Sequence, residues 1–387
     1  MRLDDSAEEG EFRTELRAWL RTHAPAPSAG PPQPWPEPEK RQWSATLGKA
    51  GYAGLTWPRE HGGRGLPPVY QAIYAEESTL AGVPDHINVI GLHMVGPTLI
   101  RYGTPAQQAT DLPGILSGDI VYCQGFSEPE AGSDLAAVRT RAERTAHGWT
   151  VTGEKVWSSY AHLADRCLLL ARTEPDAPKH RGLTCFLLDM RAPGVEVRPL
   201  RQISGDTDFS EIVLTDVELP EDSVVGARGE GWRVALTTLA HERGTFGITL
   251  TARLAVQLDR LIRTAHAVGA TADQAVRREI ADLHVRLQGL RFTGYRALAE
   301  LGRGGEPGPE SSVLKLRWSQ THQQMCRLGL RLVQGDTAGH AGEWAAYWRR
   351  TQLRSRANTI EGGTSEILRG VIAERVLGLP RHREERS

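Results

Sequence analysis

The pattern of apolar and polar positions changes twice along this chain of 387 residues, near residues 117 and 228. Before the first change, apolar residues recur three and four positions apart in residues 12–20, and similar spacing returns over 41–50 and 69–80. This spacing predicts amphipathic helices because it places the apolar side chains on one helical face. The proline-rich stretch 25–38 predicts an extended surface connector. Residues 1–117 are therefore expected to form an N-terminal α-helical domain.

Between the two changes, residues 118–228 carry short aliphatic and β-branched runs separated by glycine, proline and aspartate. The runs lie at 149–152, 166–171, 184–188 and 212–214. Short runs of this kind, bounded by turn residues, predict a small antiparallel β domain or barrel.

Helical spacing dominates again from residue 229 to residue 387. Residues 280–290 place four apolar side chains on one stripe, and a glycine- and proline-rich loop precedes a further helix over about 310–334. Long helices after a β region predict a C-terminal helical bundle. The expected fold class is thus α+β, with a helical domain, a β domain and a helical bundle in that order.

Composition and charge exclude several functions. The chain has 46 Lys and Arg against 47 Asp and Glu, and this balance argues against a general nucleic-acid-binding protein. Its four cysteines lack Cys-x-x-Cys spacing, so neither a zinc site nor a disulfide framework is predicted, and no ordered ligand spacing elsewhere predicts another metal. The acidic start carries no apolar signal region and no apolar run of about 18 residues occurs, so we expect a cytoplasmic protein without membrane insertion.

Two segments of the middle region carry the most specific motifs. Residues 122–134 read Tyr-Cys-Gln-Gly-Phe-Ser-Glu-Pro-Glu-Ala-Gly-Ser-Asp, and residues 153–159 read Gly-Glu-Lys-Val-Trp-Ser-Ser. The second segment alone would fit an ordinary turn and strand equally well. Together, at this separation, the two resemble the flavin-binding middle of the acyl-CoA dehydrogenase family. The resemblance extends over essentially the whole chain and is strongest to an actinobacterial subgroup.

The resemblance implies that the cofactor is FAD. Main-chain amides and small hydroxyls of the first segment would hydrogen-bond the polar edge of the flavin. Trp157 would lie against the ring and Ser159 would reach its N5 atom, while Gly132 would let the backbone approach the ligand closely. The flavin contacts expected from these segments are Gln124, Phe126, Ser127, Ser133, Trp157 and Ser159.

A third segment, residues 354–367, contains Glu-Gly-Gly-Thr-Ser-Glu. Two glycines before Thr-Ser-Glu predict a loop and the start of a helix with Thr364 as its N-cap, and a plain helix cap would account for the local pattern. The segment also resembles the part of the family that carries the catalytic base and then contacts the ADP half of FAD. Thr364 and Glu366 are therefore expected to contact the cofactor.

The reaction implied by the resemblance is α,β-dehydrogenation of an acyl thioester, carried by CoA or by an acyl carrier protein. A glutamate would take the α-proton, and the β-hydrogen would pass as hydride to flavin N5. Because the α-proton is only weakly acidic, the site must stabilise the enolate charge and exclude water. Electron-transfer flavoprotein is the expected electron acceptor.

Two glutamates are candidates for the catalytic base. The usual C-terminal glutamate of the family would stand at Gly362, and Glu361 lies one residue earlier. A second arrangement in the family uses a Glu-Arg pair on a helix after the β domain, which this chain has at Glu242 and Arg243. Glu242 is the leading prediction and Glu361, which could instead pair with an arginine such as Arg356, is the alternative. Ser133, Arg243 and Gly362 are the expected substrate contacts.

The chain also departs from the family pattern. It lacks the family's Arg-x-x-Phe-Gly segment in the region 266–274, keeps little of the loop that completes the adenine pocket at 334–337, and has Ala240 where an aspartate often contacts CoA. These departures leave open a homo-oligomer (dimer or tetramer) and a hetero-oligomer with a related subunit. Two other functions also stay open: a flavin oxidase or monooxygenase on the same scaffold, and a non-catalytic subunit that completes a partner's site.

Overall fold

The structure is a computed structural model, and some short stretches fall outside the residues it describes. The described residues are 4–24, 31–32, 34–301, 308, 310–336 and 339–380, without the side chains of 242–248, 301 and 310. The predicted connector at 25–38 therefore lies only partly within them. The side chains of Glu242 and Arg243 lie outside them.

The chain divides into two compact units. The sheet unit comprises Trp35–Leu66 and Pro84–Glu242, and the bundle unit comprises Met1–Pro34, Pro67–Val83 and Arg243–Ser387. The boundaries of these units differ from the predicted domain boundaries at 117/118 and 228/229. The division into three domains at those positions stays a prediction.

The α-helices of the described residues are α1 (Ala7–His23), α2 (Glu37–Lys49), α3 (Pro68–Ala81), α4 (Gly96–Tyr102), α5 (Pro105–Ser117), α6 (Gly231–Ala267), α7 (Gln274–Leu301), α8 (Glu310–Gln334), α9 (Glu343–Arg354) and α10 (Ser365–Val371). The strands are β1 (Tyr122–Gly125), β2 (Arg141–Arg144), β3 (Gly148–Ser159), β4 (Arg166–Arg172), β5 (Leu183–Asp189), β6 (Val195–Leu200), β7 (Phe209–Pro220) and β8 (Val224–Val225). Within this part of the chain, none of the helices is both long and apolar enough to cross a membrane.

The sheet has the strand order β6-β7-β3-β2-β4-β5-β8, and β1 pairs with β4. Most neighbours are antiparallel as predicted, but β1 and β2 each run parallel to β4, so the sheet is mixed. Strands β4 and β5 are buried on both faces, with Leu168 and Leu187 in one apolar cluster and Leu169 and Phe186 in the other. Burial on both faces explains why the sequence of β4 is a continuous apolar run instead of an alternating one.

The bundle unit has its own apolar core between α6, α7, α8 and α9. Leu283, Leu287 and Leu290 are buried there, as their helical spacing predicts. Helix α8 spans Glu310–Gln334, the range expected from the sequence. Glu77 of α3, which is 4 % exposed, forms ion pairs with both Arg13 and Arg17 of α1.

Candidate active site

A β-bulge interrupts β3 within the second motif. Lys155 lies opposite Ile212 of β7, and Ser158 lies opposite Ser210, so Val156 and Trp157 together oppose a single residue of β7. Trp157 adopts φ +60°, a left-handed conformation that is unusual for a bulky residue and persists only where the surroundings enforce it.

The bulge joins the two predicted flavin motifs. The Val156 amide, which the bulge removes from the ladder with β7, donates a hydrogen bond of 2.9 Å to the carbonyl oxygen of Ser127. The Trp157 side chain is 59 % exposed, with its ring edge-on to Phe209 at 6.0 Å between centroids. A large, exposed aromatic surface therefore lies next to the residue that binds the Ser127 backbone.

A buried ion pair forms a second connection between the same motifs. Lys155 is 0 % exposed, and its Nζ lies 2.7 Å from Glu128 Oε1 and 3.2 Å from the carbonyl oxygen of Phe126. The Glu128 carboxylate also accepts hydrogen bonds from the amides of Arg139 at 2.6 Å and Thr140 at 2.8 Å. Each member of the pair thus also binds main-chain groups inside the unit.

The protonation states of this pair follow from its surroundings. Burial by itself raises the pKa of Glu128, but the charge and hydrogen bond of Lys155 and the two main-chain amides outweigh it and hold that pKa below its ordinary value. Burial lowers the pKa of Lys155, and Glu128 opposes this change. Glu128 is therefore ionised at neutral pH.

Sequence reasoning did not identify Glu128 or Lys155 as functional residues. A signal was available for Lys155, because it lies an even number of residues after Trp149 and Val151 and so shares their inward-facing side of β3. A lysine at such a position requires a buried partner.

The other predicted flavin contacts of the sheet unit differ in exposure. Phe126 is buried, Ser127 and Ser159 are half-buried, and Ser133 is exposed. Gln124 has a buried side-chain nitrogen, Nε2, with no hydrogen-bond partner among the described residues. A β-carbon at Gly132 would meet no atom of the described protein within 4 Å.

These features fit FAD. An unpaired buried amide and partly exposed hydroxyls can serve the polar edge of a flavin, and an exposed indole can cover its ring. Gln124, Ser127 and Ser159 would hold the ring system by hydrogen bonds.

The third motif lies in the bundle unit, where side chains of α8 hold it from one side. Lys315 Nζ donates to the carbonyl oxygens of Asn358 at 2.7 Å and Gly363 at 3.0 Å, and Ser319 also donates to Asn358. The Asn358 side chain accepts a 2.7 Å hydrogen bond from His322 Nδ1. Since Asn358 Oδ1 can only accept, the proton of a neutral His322 lies on Nδ1. Burial lowers the pKa of His322, although the bond to Asn358 opposes this change.

Glu361 is engaged in structural contacts. Its carboxylate accepts a 2.9 Å hydrogen bond from Arg354 and a 2.8 Å hydrogen bond from the side-chain amide of Asn358. The arginine partner is Arg354, whereas the sequence suggested Arg356. Arg354 ends α9, and the short helical turn that follows returns Glu361 to its side, while Arg356 bonds the Ser355 hydroxyl.

The start of α10 confirms the predicted cap. Thr364 is the N-cap, and its hydroxyl accepts a 3.2 Å hydrogen bond from the amide of Ile367. Gly362 and Gly363 precede it with φ of +61° and +96°, which only glycine adopts without strain. Glu366 is exposed and bonds Arg369 at 3.1 Å.

Glu242 and Arg243 belong to α6, but their side chains lie outside the described residues. Their roles as base and substrate contact stay predictions. The roles of the other site residues also stay predictions, because the geometry of each motif describes its own unit alone.

Comparison with known proteins identifies the class to which this fold and these motifs belong. Sequence profiles of the acyl-CoA dehydrogenase N-terminal, middle and C-terminal domains match residues 6–119, 123–217 and 229–377. The chain therefore belongs to the acyl-CoA dehydrogenase family, whose members are FAD-dependent oxidoreductases.

Individual relatives are similar over nearly the whole chain. Acyl-CoA dehydrogenase IpdE1 of Mycobacterium tuberculosis (strain ATCC 25618 / H37Rv) is 40% identical over 380 residues, which cover 96% of this chain and 98% of the relative. A solved structure named Tcur3481-Tcur3483 steroid ACAD superimposes with a TM-score of 0.86 at 31% identity, covering 99% of this chain and 100% of that one. The ChsE4-ChsE5 complex from Mycobacterium tuberculosis gives 0.84 at 28% identity, covering 99% and 100%.

Proposed function

We propose that this protein binds FAD and catalyses the α,β-dehydrogenation of an acyl-CoA thioester. The observation that carries this proposal is the bulge of β3, which exposes Trp157 and directs the Val156 amide to Ser127. The bulge brings the two flavin motifs together in an arrangement suited to a planar aromatic cofactor.

The chain's own residues have separable tasks in this reaction. FAD, when bound, supplies the acceptor for the β-hydrogen, which leaves the substrate as hydride. Trp157 would pack against the cofactor, Ser159 would hydrogen-bond its reactive edge, and Ser133 would contact both cofactor and substrate. A glutamate takes the α-proton, and exclusion of water raises the basicity of that carboxylate.

Glu242 is the base that we propose, with Arg243 beside it and Gly362 leaving room near the acyl group. The structural contacts of Glu361 support this choice, since its carboxylate is already paired with Arg354 and Asn358. Glu242→Gln should lower turnover by roughly 10²–10⁴-fold, the usual effect of losing a general base, while FAD stays bound. Stopped-flow reduction of the flavin by substrate measures this effect. Near-normal turnover would rule out Glu242 as the catalytic base and favour Glu361.

The identity of the acyl group can be approached through the similar structures. One of them is described as a steroid ACAD, so we propose a thioester with a bulky, ring-bearing acyl group as the first substrate to test. CoA is the proposed carrier, with an acyl carrier protein as the alternative. Electron-transfer flavoprotein is the proposed acceptor of the electrons.

A hetero-oligomer is the second candidate, in which this chain completes the site of a related subunit. Two similar solved structures carry paired names, Tcur3481-Tcur3483 and ChsE4-ChsE5, and the latter is described as a complex. The missing Arg-x-x-Phe-Gly segment in residues 266–274 agrees with a site that needs another chain. A homo-oligomer remains the arrangement that would make the chain active by itself.

The first experiment uses the protein purified alone. Its visible absorption spectrum is recorded, and acyl-CoA thioesters, including ring-bearing ones, are then added without oxygen. Flavin absorption that bleaches with one thioester supports the proposed activity, and rapid recolouring in air would favour an oxidase. A protein that stays colourless after FAD is supplied would contradict an independent dehydrogenase and favour the paired subunit.

A further inference from the structure

We propose that Glu128 and Lys155 are positioning residues that set the geometry of the flavin site, and so control FAD affinity and the environment of the bound ring. This inference rests on the proposed binding of FAD. Neither residue is among the predicted flavin contacts, and both act through the backbone on which those contacts lie.

The contacts of the pair connect three separate stretches of backbone. Lys155, in β3, reaches the carbonyl oxygen of Phe126, and Glu128 takes the amides of Arg139 and Thr140 after the first motif. The hydrogen bond from Val156 to Ser127 is made by residues adjacent in sequence to the pair, and it joins the same two segments, residues 126–128 and β3.

The two charged residues lie close in sequence to the proposed flavin contacts. Phe126 and Ser127 immediately precede Glu128, and Trp157 lies two residues after Lys155. A shift of either charged side chain therefore moves a proposed flavin contact with no intervening flexible segment.

General stability does not account for such a pair. An ion pair removed from water gains little over well-packed apolar residues of similar size, because the loss of hydration offsets the attraction. The side chains of Glu128 and Lys155 are 8 % and 0 % exposed, and apart from their bond to each other they bind only main-chain groups, those of Phe126 in the first motif and of Arg139 and Thr140 shortly after it. The directed contacts indicate that the pair specifies a geometry.

The chain offers a matched control at the end of the same motif. Lys179 pairs with Asp134 at 2.9 Å, but these side chains are 52 % and 60 % exposed. Water can replace this pair, so its loss should leave the motif backbone in place.

The test compares Lys155→Met with Lys179→Met in the full chain. Dissociation constants for FAD are measured by titration of the apoprotein, and the bound flavin is examined by visible circular dichroism and by its midpoint potential. Lys155→Met should weaken FAD binding by roughly 10–100-fold, as expected when charge-assisted hydrogen bonds that shape a site are lost. It should also change the visible dichroism and the potential of the flavin that remains bound. Lys179→Met should stay within about twofold of the wild type, consistent with the small value of an exposed ion pair.

A purely structural role would lower the melting temperature of Lys155→Met and leave the dichroism and potential of its bound flavin unchanged. That result in a folded variant overturns the inference. If Lys155→Met does not fold, Glu128→Gln replaces it in the test, because glutamine keeps the side-chain length and one acceptor oxygen. Unchanged dichroism and potential of the flavin bound to Glu128→Gln would overturn the inference equally. A wild-type protein that fails to bind FAD would instead overturn the proposed function, and the inference with it.

Discussion

The first and third motifs each contain a segment of irregular backbone, and their surroundings hold these two segments by different means. In the sheet unit, the segment at residues 126–128 is bound to β3 by a buried ion pair, Glu128 and Lys155. In the bundle unit, the loop at 358–364 is bound to α8 by Lys315 through two neutral main-chain carbonyls. A lysine thus pairs with a buried carboxylate in the sheet unit, where water cannot hydrate the charge. In the bundle unit a lysine donates to main-chain carbonyl groups of a half-buried loop.

This difference indicates how each region responds to damage. Removing one member of a buried ion pair leaves the other charge without water or partner. Removing a lysine from two carbonyls leaves only neutral acceptors, and here the Asn358 carbonyl keeps its bond from Ser319 while Gly363 is half-buried. We therefore expect the sheet-unit motif to be the more rigid of the two and the less tolerant of substitution.

The largest expected effect compares the same substitution in both regions. Lys155→Met should lower the free energy of unfolding of the apoprotein by about 3–5 kcal/mol, because buried Glu128 loses its counter-charge and keeps only the amides of Arg139 and Thr140 as partners. Lys315→Met should lower it by about 1.5–3 kcal/mol, the usual effect of losing hydrogen bonds from a charged donor. Urea denaturation of the two apoproteins measures both values. Equal losses, or a larger loss for Lys315→Met, would contradict the distinction between the two regions.

Sequence patterns were sufficient for the class of each region and for most of its elements. Helical spacing predicted the buried stripe of α7, the glycine- and proline-rich loop predicted where α8 begins, and the pair of glycines before Thr364 predicted the cap that is observed. Such features are local, since spacing and capping depend on residues within a few positions of one another.

Features that depend on distant residues were not visible in the sequence. The parallel pairing of β1 with β4 joins residues more than forty positions apart, and no local pattern distinguishes it from an antiparallel pairing. The bond of Asn358 to His322 depends likewise on how α8 lies beside the loop. Glu128 and Lys155 were present in the motifs, but their importance follows from burial, which the sequence indicated only for Lys155, through strand alternation.

A smaller effect is expected from the strained residue of the bulge. Trp157→Asn should raise the free energy of unfolding of the apoprotein by about 1 kcal/mol, because asparagine tolerates the left-handed conformation better than tryptophan and the indole is 59 % exposed. The same variant should bind FAD more weakly, since it removes the aromatic surface. Denaturation of the apoprotein tests the expected gain in stability, and FAD titration tests the expected loss of affinity. A loss of stability would show that the indole contributes more by packing than its backbone strain costs.

The smallest expected effect is a pH response confined to the loop of the bundle unit. Burial lowers the pKa of His322 below 6.5, while Arg354 also lowers it and Asn358 and Glu361 raise it. The unfolded state therefore binds the proton first as pH falls, so the stability contributed by neutral His322 is complete above about pH 6.5 and declines below it. Amide exchange of residues 358–364, corrected for intrinsic rates, should show more frequent opening at pH 5 than at pH 7.

The segment at residues 126–128 should not respond over the same interval. The pKa of Glu128 is held below 4.5, so the stability from its charged form is present above that pH and is lost only as pH falls further, through the folded-state pKa. His322→Gln supplies the control, because glutamine can donate to Asn358 and has no proton to gain in this range. If loop opening in His322→Gln still increases between pH 7 and pH 5, another group governs the loop, and the proposed contrast between the two regions fails at this point.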